Sequence, residues 1–197
     1  MTAPAQLQVL IDRQDIHDCL LRFCRGMDRF DRDLYLSAFW PDAEIAAGPY
    51  VGDAAACWNW AKPMHEAGQV LTHHLLLNHH VDNNGDTAHS ECYYQFVARN
   101  HPFEEGGGET ILMAGGRYID RLERRDGDWK IMLRTNVIEW SCLQPSLPPP
   151  FADVPDIGSN GVSSRDRSDP SYQRPLVNKR APSNARRARA LRLPAQL

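Results

Sequence analysis

Apolar positions recur at helical spacing near the start of the chain. Ile16, Leu20, Phe23 and Met27 form one stripe at intervals of four, three and four, while Asp12, Asp15, Asp18 and Arg22 lie largely off it. This pattern predicts an amphipathic helix. Asp31 or Asp33 can cap a short second helix through Leu34, Tyr35, Leu36, Phe39 and Trp40, which Pro41 would end. A third helical stretch, Asp53 to about Glu66, carries Ala54, Ala55, Ala56, Trp58 and Trp60, with Pro63 interrupting its second half.

After Gly68 the texture turns to strands. Val70 to Val81 leads to Asn84-Gly85 and Thr87 to Arg99 follows; Thr110 to Arg124 and Trp129 to Trp140 flank Asp126-Gly127. Each reads as a hairpin around a tight-turn dipeptide. Helices followed by long antiparallel strands indicate an α+β domain, its helices on one face of the sheet, and strands of a dozen residues imply strong curvature. Beyond Cys142 the pattern stops: Pro145, Pro148, Pro149, Pro150 and Pro155 exclude regular structure. The expected organisation is a domain over 1–143, a Pro-rich irregular extension over 144–176 and a basic tail over 177–197. The tail segment from Asn184 to Leu193 reads as a frayed terminus or a short basic helix on a partner.

Composition narrows the classes. The chain of 197 residues is 42% hydrophobic with 9% aromatics, ordinary for a globular domain. Its net charge of −3 hides six basic residues and no acid from Val177 onward, so the first 176 residues carry −9. An acidic body argues against nucleic acid as the main partner, and no apolar run approaches the roughly 20 residues of a membrane span. The first residues lack a basic n-region followed by an apolar h-region, so no signal peptide and a cytoplasmic location are expected. Cys19, Cys24, Cys57, Cys92 and Cys142 are scattered, without CxxC spacing, and read as reduced thiols.

Candidate chemistry is sparse. No nucleotide-binding glycine motif is present, since Gly106-Gly107-Gly108 precedes a strand without a Lys-Ser/Thr partner. His73, His74, His79 and His80 invite a metal reading. Strand neighbours face opposite ways, however, and six residues span roughly 20 Å, too far for one ion. There remain Asp28 near the end of the first helix, His74 on the first long strand and Arg134 on the last. Taken singly, each reads as an ordinary helix terminus, core or surface residue. If the helix closes the mouth of the curved sheet, the three can meet in an apolar pocket.

The segment IHDCLLRFCRGMDRFDRDLYLSAFWPDAEI resembles the opening of the SnoaL-like branch of the nuclear transport factor 2-like superfamily: an aromatic, four residues, Asp, then Phe-Trp-Pro-Asp-Ala. LTHHLLLNHHVDNNGDTAHSECYY is similar to that branch's His-x-x-x-Asn strand, at His74 and Asn78. YIDRLERRDGDWKIMLRTNVIEW is similar to its closing hairpin, at Trp129, Arg134 and Asn136. The resemblance runs from about Leu7 to Trp140. It implies a cone-shaped α+β barrel (cystatin-like) and, by analogy with dehydrochlorinases and dehydratases of the branch, a lyase needing no cofactor and no metal. In that reading an Asp28–His74 dyad abstracts a proton and Arg134 assists the developing anion.

Where those relatives place Tyr or another polar residue, this chain has Phe23, so a donor would come from Tyr35, Tyr50 or Tyr94, or be dispensable. Trp40, Trp58, Trp60, Phe39, Tyr50 and Trp140 are candidate pocket walls, with plain core packing as the alternative, and Asn136 joins them through the motif. The implied partner is a hydrophobic, cyclic or steroid-like small molecule, with neither nucleic acid nor membrane. The resemblance also implies a homo-oligomer, dimer or trimer. Isomerase, polyketide cyclase-like and non-catalytic readings (a small-molecule binder or a dioxygenase-small-subunit-like protein) remain open. The Pro-rich segment could cross onto a neighbouring subunit or close the pocket mouth.

Overall fold

Burial of the predicted stripe organises the molecule. A computed structural model describes residues 3–182, and in it helix α1 (Ala3–Asp28) buries Ile16, Leu20, Phe23 and Met27 against the sheet. Asp12, which the stripe places outside, is also buried. It accepts hydrogen bonds from Trp129 Nε1 at 3.1 Å, Arg124 at 2.9 Å and Asn83 at 2.9 Å, so its charge is compensated.

Helix α2 (Arg32–Ser37) begins at Asp31, whose carboxylate accepts from Leu34 N–H at 3.3 Å. It ends earlier than the pattern predicts. Phe39 and Trp40 open strand β1 (Phe39–Ala47), and Pro41 sits where the register against a later strand shifts, a place that tolerates a missing N–H. Strand β2 (Tyr50–Asp53) completes a hairpin that the sequence pattern missed. Helix α3 (Ala54–Gly68) is capped by Asp53 and runs through Pro63.

The four long strands are β3 (Gln69–Asn84), β4 (Thr87–Asn100), β5 (Thr110–Arg125) and β6 (Asp128–Pro145). Asn84 pairs with Thr87, so the first tight turn is Gly85-Asp86, one residue beyond the expected Asn84-Gly85. Asp126 (φ 54°) and Gly127 (φ 91°) both take positive φ, as a type I′ turn requires. The sheet order is β2-β1-β6-β5-β4-β3, antiparallel except where β1 runs parallel to β6. Three helices thus pack on a curved, mixed six-stranded sheet, the α+β cone that the resemblance implies.

Residues 146–182 are irregular apart from a 3-10 turn at Pro170–Tyr172, and they fold back onto the end of α1. The tail segment Asn184–Leu193 lies outside the described residues. Cys19, Cys24, Cys57 and Cys92 are buried free thiols, and Cys142 is exposed. Among the described residues no helix is long and apolar enough to cross a membrane, and no group of three metal-ligating side chains converges.

Candidate active site

Strand alternation turns Thr72 and His74 inward together, under the last residue of α1. Asp28 Oδ1 accepts from the His74 ring at Nδ1 (2.7 Å) and from Thr72 Oγ1 (2.8 Å), while Oδ2 accepts from the His74 backbone N–H (2.9 Å). Burial pushes the Asp28 carboxyl upward. The His74 charge and these hydrogen bonds outweigh it, holding the group below the usual carboxylate range. An ionised Asp28 can only accept, so the proton of the short contact resides on His74 Nδ1. Nε2 is then the ring's basic nitrogen, and it has no hydrogen-bond partner among the described residues.

His74 lines an apolar cavity of about 310 Å3 between the helices and the concave sheet face. Its walls include Phe23, Met27, Tyr94, Phe96 and Tyr118. Trp60 and Met64 of α3, both partly exposed, and Gly48-Pro49 of the β1–β2 turn form its rim. The His74 ring packs 4.8 Å from Phe96 and 5.9 Å from Phe23, measured between centroids.

Arg134, fully buried, lines the same cavity. The β5–β6 register sets it opposite Asp120, and the two form a bidentate pair with both bonds at 2.7 Å. Its guanidinium lies 4.3 Å from the ring centroids of both Phe23 and Tyr118, in the corner formed where those two rings meet edge to face. Nη1 is left without a partner. Burial opposes the charge, but Asp120 more than compensates and keeps Arg134 cationic. Phe23 therefore touches both groups: the guanidinium lies over its ring, and the imidazole meets it edge to face.

Of the three tyrosines considered as donors, Tyr35 and Tyr94 line the cavity and Tyr50 does not. Tyr50 stacks on Trp60 outside it, with its hydroxyl bonded to Asp53 O at 3.0 Å. Tyr35 Oη is buried without a well-placed hydrogen-bond partner, and burial raises its pKa, so it remains a donor. Asn136 lines the wall with Oδ1 unpartnered. Trp40 and Trp140 lie elsewhere. Trp40 donates to Glu123 O at 3.0 Å between Arg125 and Lys130, and Trp140 covers Gly115 with its ring half exposed. Phe39 and Trp58 pack in the core with Tyr35.

The site also holds residues that the sequence pattern does not single out. Thr72 could have been found by parity, two residues before His74 on one strand. Asp120 could have been found by counting back from the Asp126-Gly127 turn, allowing for one bulge. His65 of α3 lines the cavity, 6.5 Å from the His74 ring, and burial lowers its pKa, so it is neutral near pH 7. No pattern signals it, and none signals Arg165, which arrives from the extension.

Comparison with known proteins accords with this fold. The SnoaL-like domain family matches residues 8–135, well over half of the chain. None of the curated proteins matches it. A hexachlorocyclohexane dehydrochlorinase (LinA) type 2 structure is 20% identical and superposes with a TM-score of 0.64, covering 74% of this chain and 99% of its own. LinA type 3 from Novosphingobium barchaimii LL02 is 20% identical, with a TM-score of 0.62 over 73% and 99%. A protein of Novosphingobium aromaticivorans DSM 12444, provisionally named scytalone dehydratase, is 16% identical, with a TM-score of 0.57 over 73% and 96%. At such identities these structures speak for the shared fold. The family match and the cone together place the chain in the SnoaL-like domain family of the nuclear transport factor 2-like superfamily.

Proposed function

We propose that the protein is a cofactor-independent lyase acting on a hydrophobic, cyclic or steroid-like small molecule. The observation that carries this reading is the Asp28–His74 pair, whose free Nε2 belongs to a ring in the wall of an apolar cavity. His74 Nε2 takes a proton from carbon, the C–H pair becomes the new C=C bond, and the leaving group departs with its own pair. Asp28 fixes the tautomer and stabilises the imidazolium. Arg134, cationic in a site of low dielectric and with Nη1 unpartnered, attracts the charge that develops on the leaving group or on an enolate. Tyr35 and Tyr94, which line the cavity, would supply the hydrogen bond that Phe23 cannot.

A cavity equipped with an oriented base favours catalysis over simple binding. An isomerase or a polyketide cyclase-like enzyme would share the proton-abstraction step and differ only in the fate of the carbanion.

The test is deuterium uptake at activated C–H positions of cyclic ketones, steroids and halogenated rings in D2O, with products identified by mass. Turnover of at least one class is expected. His74→Ala and Asp28→Asn should each lower it by on the order of 10²–10⁴ with unchanged circular dichroism. Activity close to wild type in either variant would end the dyad reading. Exchange without loss of a leaving group would move the assignment from lyase to isomerase.

A further inference from the structure

The extension beyond the family domain ends up behind the dyad. Asp169 organises a turn there, accepting from Ser171 N–H at 2.9 Å and from Ser164 N–H at 3.0 Å. The turn is pinned to the end of α1 and the loop that follows. Tyr172 Oη donates to Asp31 at 3.0 Å, Arg167 pairs with Asp31 at 3.2 Å, and Arg29 lies 3.4 Å from Asp169. What the turn presents is Arg165.

Its guanidinium reaches Met27 O (3.3 Å) and Asp28 O (3.4 Å) at the end of α1 and His65 O (3.2 Å) near the end of α3. It also meets Gln69 O (3.5 Å) and Thr72 Oγ1 (3.1 Å), with the Phe30 ring centroid 3.7 Å away. Carbonyls in the last turn of a helix lack intrahelical donors and carry partial negative charge, so a cation there satisfies both needs.

The contact with Thr72 has a directional consequence. A guanidinium has donors and no acceptor, so Thr72 Oγ1 must accept from Arg165 Nη2. The hydroxyl's single proton is thereby committed to its other neighbour, Asp28 Oδ1, the oxygen that also accepts from His74 Nδ1. Each bond in such a chain polarises the next.

We propose that Arg165 is a positioning residue for the dyad: through Thr72 it fixes the orientation of the Asp28 carboxylate and hence of the His74 ring, so that the extension forms part of the site. The inference rests on the dyad reading of the proposed function. Charged and titratable groups around the dyad and Arg165 are Cys24 on α1, Tyr118 on β5, Arg134 on β6, His65 and Glu66 on α3, and Arg29 after α1. Burial lowers the Arg165 pKa to about 10, which leaves it charged at neutral pH.

The experiment uses the full chain and needs no substrate. The His74 Nδ1 proton in its short bond to Asp28 should give a downfield proton NMR signal that Asp28→Asn abolishes. Arg165→Gln is expected to broaden or shift that signal, and Thr72→Val to do the same. In the Thr72→Val background Arg165→Gln should add little, because both act through one hydroxyl. Arg165→Lys, which keeps charge without the fork, should be intermediate, and it serves where Arg165→Gln lowers the melting temperature too far. Tyr172→Phe, which removes one contact of the extension while the Arg167–Asp31 and Arg29–Asp169 pairs still hold Arg165 in place, should leave the signal in place.

With a substrate in hand, Arg165→Gln should lower kcat by on the order of 10²-fold, the scale of a small misplacement, with little change in KM. An unchanged signal in Arg165→Gln, additive effects of the two substitutions, or an equal effect of Tyr172→Phe would overturn the inference. If no compound turns over while the signal responds as described, the proposed function fails and the positioning role stands. If His74 is essential and Arg165 is not, the reverse holds.

Discussion

Arg134 and Asp120 form the most deeply buried ion pair described, and their energetics are asymmetric. Both are withdrawn from water, Arg134 with 0% and Asp120 with 1% of its surface exposed. The bidentate geometry repays part of that desolvation, but removing one partner leaves a charge with nothing to offset it. Asp120→Asn keeps the shape and one acceptor while removing the charge. It is expected to destabilise the fold by about 3–5 kcal/mol, read as a lower urea midpoint at pH 7. A loss under about 1 kcal/mol would mean that the Phe23 and Tyr118 faces support the guanidinium without the carboxylate. The same substitution frees Arg134 from its clamp, so turnover should fall as well if the guanidinium faces the developing anion. Asp12 is built on a different plan. Its carboxylate gathers Trp129, Arg124, Asn83 and Gln8 and uses none of them in the cavity, so a buried acid on this helix is not by itself a mark of function.

At the scale of elements, the position of Asp28 depends on how closely α1 approaches α2. A Cβ built on Gly26 would lie 2.6 Å from Tyr35 N and 2.7 Å from Tyr35 Cα, backbone that cannot swing aside. Gly26→Ala must therefore push the two helices apart, and Asp28 is two residues further on. Overpacking of this kind costs roughly 1–3 kcal/mol, measurable by thermal or urea unfolding. Turnover should fall by a larger factor than the stability loss alone explains, because the displaced carboxylate no longer meets Thr72 and His74. Unchanged turnover would show that the helix end can shift without moving the dyad. This dependence on contacts between elements also marks how far the sequence could be read. The stripe of α1 and the four long strands follow from local periodicity, the tight turns follow from their dipeptides to within one residue, and Asp28, His74 and Arg134 lie on the elements the pattern predicts. The β1–β2 hairpin was hidden because Phe39, Trp40 and Pro41 look like a helix end. They become a strand only by pairing with β6, nearly a hundred residues away. Trp40 and Trp140 could not be separated from true wall residues because aromatic character says nothing about which face a side chain takes. Arg165 was invisible for the same reason on a larger scale, since a Pro-rich segment without periodicity gives no sign of where it docks.

At the scale of the molecule, titratable groups divide the response to acid into two stages. His79, on β3, faces His17 of α1 with 3.1 Å between Nδ1 atoms, and Arg13, Arg134 and His80 are also near. Burial first, then these cationic neighbours, lower its pKa to about 4, and burial lowers that of His65 too. An unfolded chain titrates its histidines near pH 6.5. Between about pH 6.5 and 4 the unfolded state therefore binds more protons than the folded state, and stability must fall as pH falls. The carboxylates act lower. Asp169 is held at about 2 by the Ser171 and Ser164 hydrogen bonds and Arg29 despite the upward push of burial, and Asp28 and Asp12 are also depressed. Their contribution is complete above the unfolded value near 3.9 and disappears as pH drops through the folded values. Urea midpoints measured from pH 7.5 to 2.5 should accordingly decline in the histidine window and again, more steeply, below about pH 4. His79→Gln, which cannot protonate, should flatten the upper decline and leave the lower one. Asp169→Asn should do the opposite and weaken docking of the extension that carries Arg165. If the upper decline persists in His79→Gln with its full slope, the His17–His79 contact does not govern acid stability and the weight passes to His65.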